Sequence, residues 1–114
     1  MKAALRSEIW LVEFDPVRGH EQGGSRPALV VSNDVFNASA ADLIVVVPIT
    51  SKGRTIRSFL KIEPADTGLK LTSYIICDQV RTVSKDRLKG KLGALPQPVM
   101  TEVEERLKYL LDLG

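Results

Sequence analysis

With 114 residues, 44% of them apolar, the chain is long enough to bury one core, and a single domain spanning 1–114 is expected. A net charge of +2 and a pI of about 8.8 make it mildly basic, too weakly to require a nucleic-acid partner, so the placement of the charge has to decide. One cysteine excludes an internal disulfide and fits a reducing, cytoplasmic setting. With one histidine beside it, a histidine–cysteine metal cluster is excluded too, which leaves only a carboxylate site for magnesium open. No apolar run approaches the roughly 20 residues of a membrane span, and no secretory h-region is visible.

Glu8–Phe14 has the β-branched and aromatic content of a first strand, and Asp15-Pro16 stops it. Arg18 to Arg26 form an opening loop in which Gly19, Gly23 and Gly24 permit sharp turns. Pro27 to Ser32 are a second strand, apolar enough to be buried on both faces, and a short helical piece is expected through Val35-Phe36-Asn37. Asp42 to Thr50 form a third strand, in which Pro48 predicts a bulge or a sheet edge. Ser51 to Arg57 are a loop with three cations and no acid. Ser58 to Glu63 alternate as a half-exposed strand, and Pro64 to Gly68 turn.

Tyr74 to Val83 read as one fifth strand with polar residues at its centre, and Ser84 as the N-cap of a short helix over Lys85–Lys89. Gly90 to Leu95 connect, with room for a short extra strand. The clearest helix is the last. Pro98 suits its first turn, Val99, Val103, Leu107, Leu110 and Leu111 share one face, and Glu104 is placed to pair with Lys108. Several short strands and one capping helix predict an α+β, mainly β architecture: a small barrel or strongly bent sheet. Cys77 reads as a small buried hydrophobe, and Trp10 and Phe36 as core side chains before they read as base-stacking ones.

Three stretches stand out: Gly19-His20-Glu21-Gln22-Gly23-Gly24-Ser25-Arg26-Pro27 followed by Leu29-Val30-Val31-Ser32-Asn33-Asp34; Pro48-Ile49-Thr50-Ser51; and Asp78-Gln79-Val80-Arg81-Thr82. The first holds a guanidinium at the mouth of a strand, a rigid place for binding or catalytic charge. In this order and at these spacings the chain resembles the MazF/PemK toxin family over nearly its whole length. The resemblance implies an SH3-like barrel that forms a homodimer. It further implies a bacterial type II toxin that cuts single-stranded RNA at a short sequence without a metal or cofactor, leaving a 2′,3′-cyclic phosphate and a 5′-hydroxyl and so blocking translation and growth. A small acidic antitoxin would occupy the RNA groove.

The resemblance assigns Arg26 as the catalytic arginine. Its planar fork suits two phosphate oxygens, and it is expected to stabilise transition-state charge and not to take a proton, because a guanidinium keeps its protons near neutral pH. Thr50 matches the active-site threonine. Glu21 is the family's acidic loop position, with three open readings: base, holder of Arg26, or solvated side chain. Gln79 matches the strand glutamine that meets the site or RNA, with Asp78 and Arg81 read as a supporting ion pair. Lys52, Arg54 and Arg57 lie in the loop that helps choose the RNA sequence, where an acid-free basic run suits phosphate. Ser25 replaces the histidine that some relatives carry before the arginine, and His20, the one histidine, falls before Glu21. Two other readings share this fold: a gyrase-poison type of toxin acting by protein contact, and a non-catalytic RNA-binding barrel. The first would not need Arg26 together with Thr50, and weak net charge with 5% aromatics disfavours the second.

Overall fold

Each strand forms where β-branched and aromatic residues run uninterrupted by turn formers. The computed structural model describes residues 4–14 and 24–114. Its strands are β1 (Glu8–Glu13), β2 (Ser25–Val30), β3 (Leu43–Thr50), β4 (Phe59–Ile62), β5 (Ser73–Ile76), β6 (Arg81–Ser84) and β7 (Leu88–Ala94). Helices α1 (Asp34–Asn37) and α2 (Pro64–Thr67) are single turns, and α3 (Gln97–Leu111) is long. All pairings are antiparallel, in the order β4-β5-β3-β2-β1-β7, with β6 also on β3. This is the expected α+β, mainly β architecture. No helix among the described residues is long and apolar enough to cross a membrane.

The central strands bury both faces, as the composition of the second strand predicts. Leu29, Val47 and Ile49 join the core under α3, while Ala28, Val30, Ile44 and Val46 join a second core with Val12, Phe14 and Val83. Trp10 packs on that second core, and Cys77 is buried in the first. Burial pushes the Cys77 thiol up to about 11, so it remains an inert packing group.

The structure differs from the sequence reading at several points. Arg26 lies inside β2, opposite Val12 of β1, and not on a loop before the strand. Pro27 is tolerated because β3 begins to pair with β2 only at Ala28. Asp42 adopts φ 60°, a left-handed conformation, so β3 starts one residue later than expected. Pro48 sits at neither a bulge nor an edge. It falls between the stretch of β3 paired to β6 (Leu43 to Val46) and the stretch paired to β5 (Ile49 and Thr50), where that flank of the ladder changes partner.

The same change of partner breaks the expected fifth strand. From Ile49 back to Val46 is three positions on β3, but their partners Ile75 and Arg81 are six apart. The three surplus residues are looped out as the 3-10 turn Cys77–Gln79. Ser84 ends β6 and makes no side-chain cap to the short 3-10 turn that follows, and the expected connection after it is the full strand β7.

In α3, Val99, Val103, Leu107 and Leu110 pack as the periodicity predicts. Leu111 is 53% exposed, and Met100 takes a core place instead. Glu104 pairs with Arg6, not with Lys108. Arg6 also donates to the Val31 carbonyl, and its backbone N–H donates to Asp34 at 2.7 Å, so the lead-in segment clips α1, β2 and α3 together.

Candidate active site

Two strand ends and one turn build the site. β2 brings in Arg26, the C-terminal end of β3 brings in Thr50, and the Cys77–Gln79 turn between β5 and β6 brings in Asp78 and Gln79. Together with Ser51, Lys52, Arg54 and Phe59 these residues line one pocket of about 710 Å³. Residues 24 positions apart (Arg26, Thr50) and 28 further on (Asp78) thus meet because β2 and β5 both flank β3. The looping-out that breaks the fifth strand is what places Asp78 and Gln79 here. In a continuous strand they would have been ladder residues.

Thr50 is only 8% exposed and its Oγ1 accepts the Lys52 backbone N–H at 3.2 Å, which fixes the hydroxyl and bends the chain into the basic loop. That bond uses the oxygen as acceptor and leaves the hydroxyl hydrogen to donate into the pocket. Gly53 then passes directly over the Tyr74 ring. A Cβ there would lie 2.2 Å from the ring, so any other residue would have to push the ring aside. At the other end of the loop, Ser58 holds the turn twice. Its hydroxyl donates to Asp78 Oδ2 at 2.6 Å, and its carbonyl accepts from the Cys77 N–H at 2.8 Å.

Of the residues expected at the site, the pocket gathers Arg26, Thr50, Gln79, Lys52 and Arg54. Ser25 lies beside Arg26 in an adjoining pocket. Arg57 and Arg81 do not line the main pocket. The Arg57 guanidinium stacks 4.0 Å from the Tyr109 ring centroid on α3, and the Arg81 guanidinium lies 5.3 Å from that of Phe14. Asp78 takes the Ser58 hydroxyl in place of the expected ion pair with Arg81. Glu21 and His20 lie outside the described residues.

Sequence reading makes Asp78 a support for the site, quotes Ser51 only as the end of the Pro48–Ser51 motif, and gives Phe59 no role there. Asp78 stands beside Gln79 in the quoted motif, so its position is legible. Nothing local marks Phe59, because an aromatic that opens an alternating strand looks like any other strand residue. The aromatic in the pocket is Phe59; Trp10 and Phe36 do not line it. The site therefore combines three cations, one carboxylate, a threonine hydroxyl, an amide and one aromatic wall, a set suited to a phosphodiester flanked by a base. Among the described residues, no group of three or more histidine, cysteine, aspartate or glutamate side chains could hold a metal ion.

Comparison with known proteins agrees with this chemistry. Residues 5–111 match the family model for the PemK-like, MazF-like toxin of type II toxin–antitoxin systems. The chain is 42% identical over 108 residues to the endoribonuclease PemK of Escherichia coli, covering 93% of this chain and 80% of that protein. It is 38% identical over 113 residues to the endoribonuclease MazF9 of Mycobacterium tuberculosis, covering 95% and 96%. Among solved structures it superposes on MazF from Deinococcus radiodurans with a TM-score of 0.87 at 27% identity, over 99% of this chain and all (100%) of that one. It also superposes on a mycobacterial endoribonuclease in complex with its cognate antitoxin, with a TM-score of 0.82 at 28% identity, over 98% of each chain.

Proposed function

The chain belongs to the family of PemK-like, MazF-like toxins of type II toxin–antitoxin systems, and from that premise we propose how its pocket performs the family's chemistry. It is an endoribonuclease, the toxin of a toxin–antitoxin pair, with RNA as substrate and an antitoxin as partner. Single-stranded RNA fits the site, because a base splayed from its stack can enter a pocket of about 710 Å³ while paired bases face inward. Two copies of the chain form the working unit, and the antitoxin is small and acidic, matching the cations at the pocket. The protein acts in the cytoplasm.

RNA carries its own nucleophile. The 2′-hydroxyl oxygen attacks the adjacent phosphorus, the bond from phosphorus to the 5′-oxygen breaks, and the products are a 2′,3′-cyclic phosphate and a 5′-hydroxyl. The protein must hold the attack in line, move one proton from the 2′-oxygen and one to the leaving oxygen, and stabilise charge on the phosphorane. No protein nucleophile and no metal ion is required for those tasks.

Arg26 binds the non-bridging phosphate oxygens and carries the developing charge. Thr50 donates its hydroxyl hydrogen to one of them, being already held by Lys52 from the other side. Asp78, the carboxylate in the pocket, takes the 2′-hydroxyl proton, with Ser58 keeping it oriented, and Glu21, in the loop motif before Arg26, is a second acid. Gln79 contacts the nucleotide, and Lys52 and Arg54 hold the phosphates that follow.

The observation that carries this reading is the meeting of Arg26 and Thr50 with Asp78 and Gln79 in one pocket. The test is cleavage of mixed-sequence single-stranded RNA in excess EDTA by wild type and Arg26→Ala. Discrete fragments ending in cyclic phosphate are expected from the wild type alone. Intact RNA with folded wild-type protein would refute the reading.

A further inference from the structure

The loop between β3 and β4 carries two of the pocket's cations, Lys52 and Arg54, yet every residue from Ser51 to Arg57 is exposed. A stretch without buried side chains keeps its place only through the contacts at its ends. The first end is held by the bond from the Lys52 N–H to Thr50, and the last by Ser58 on the Cys77–Gln79 turn. A third hold comes from α3. The Arg57 guanidinium lies 4.0 Å from the centre of the Tyr109 ring. One turn earlier on the helix, Arg106 Nε donates to the Arg57 carbonyl at 3.0 Å. The helix itself is fixed, because Met100 and Val103 are buried in the core. Tyr109 belongs to neither core and is 56% exposed, so the stack on Arg57 is the packing role the structure gives its ring.

We infer that Tyr109 is a positioning residue for RNA binding: its ring holds Arg57 on α3, and Arg57 holds the loop so that Lys52 and Arg54 stand at the pocket before RNA arrives. This rests on the ribonuclease reading. Phosphate attracts any cation nearby, but a loose loop has to be immobilised on binding, and that costs affinity. A loop already clasped to a rigid helix has less freedom left to lose. Arg57 suits the task because a guanidinium stacks on an aromatic face while its hydrogen-bonding edge stays in water. The ring acts through its face, so the phenol hydroxyl is not needed. The chemistry at the phosphate is untouched, since Arg26 and Thr50 are held in the sheet, opposite Val12 and Tyr74.

The test compares wild type with Tyr109→Leu, Tyr109→Phe, Arg57→Ala and the double variant Tyr109→Leu/Arg57→Ala. Leucine keeps the helix and the apolar bulk but has no aromatic face. Affinity is read on a short cleavable RNA whose attacking 2′-hydroxyl is replaced by hydrogen, so that it binds without reacting, and kcat on the intact RNA. Tyr109→Leu should weaken binding about two- to fivefold, the strength of an exposed cation–π contact, with kcat at saturating RNA unchanged. Tyr109→Phe should bind as wild type does. Arg57→Ala should lose the same factor as Tyr109→Leu, and the double variant no more than either.

Unchanged affinity in Tyr109→Leu, losses that add in the double variant, or a Tyr109→Phe as weak as Tyr109→Leu would each overturn the inference, while wild-type cleavage and its dependence on Arg26 still stand. A loss confined to kcat or to the urea midpoint would overturn it too. A wild type that cuts no RNA would overturn the ribonuclease reading itself, and this inference with it.

Discussion

The Ser58 hydroxyl donates to Asp78 Oδ2 at 2.6 Å, tying the end of the basic loop to the turn that floors the pocket. Ser58 is 8% exposed, so its hydroxyl is committed to this bond. Ser58→Ala should cost about 1 kcal/mol of stability and several-fold in kcat with KM little changed, because Asp78 loses its orientation but the RNA keeps its contacts. Ser58→Thr keeps the hydroxyl and should recover most of the loss. Steady-state kinetics of the two variants check this, and an alanine variant with wild-type kcat would remove Ser58 from the mechanism.

Arg26 and Thr50 act on the same phosphate but not equally. Arg26→Ala removes a charge that grows in importance in the transition state, and kcat should fall about 1000-fold. Thr50→Val removes one hydrogen bond at constant shape, and kcat should fall about 10- to 100-fold. Single-turnover cleavage with saturating protein measures both directly.

Lys52 and Arg54 enter the pocket on the basic loop, whereas Arg57 is drawn onto Tyr109. For binding of single-stranded RNA, Lys52→Ala and Arg54→Ala should each lower the slope of log affinity against log salt by about 0.7, and Arg57→Ala should leave the slope nearly unchanged. Titrations at several salt concentrations separate the three. Arg57→Ala should instead loosen the loop by removing the contact with Tyr109, although the bond from Arg106 Nε to the backbone carbonyl of residue 57, at 3.0 Å, survives the change.

Gly93 of β7 faces the Thr67 carbonyl at the end of α2. A Cβ on Gly93 would sit 1.9 Å from that oxygen, and backbone on both sides leaves little to yield. Gly93→Ala should destabilise the protein by about 2 to 3 kcal/mol, read as a lower urea midpoint with an unchanged slope.

Glu8 sets part of the acid limit of stability. Burial would raise its carboxyl, but the Leu5 N–H, the Trp10 indole N–H and the Lys91 ammonium, 3.0 Å away, outweigh burial and hold it below its ordinary value of 4.5. A lowered folded-state value means the stabilisation is fully present above the ordinary value and is lost as pH falls through the lower one. Glu8→Gln should therefore lower stability near neutral pH and flatten the loss on acidification, so that the two urea midpoints converge once pH has fallen through the lowered value. Parallel curves across that range would sink the assignment.

Much of this protein is legible in local sequence. The strands β1 to β4 and the helix α3 follow from apolar periodicity and from turn formers at their ends, which act over a few residues and need no partner. Thr50 at the end of the third strand is legible in the same local way, whereas Arg26 is paired inside β2 and Gln79 reads as a mid-strand residue. Tertiary structure decided the rest. Tyr74 to Val83 is as good a strand as any by propensity, yet the change of partner along β3 loops out Cys77–Gln79 and turns Asp78 into a pocket residue. Long polar side chains then chose partners far away in sequence: Asp78 took Ser58, Arg57 took Tyr109, and Glu104 took Arg6 over Lys108 one turn along its own helix. Helical spacing makes a pair available. Which charge actually fills it depends on what the fold brings within reach, and that is set by the packing of β2, β3 and α3 and not by any stretch of the chain read alone.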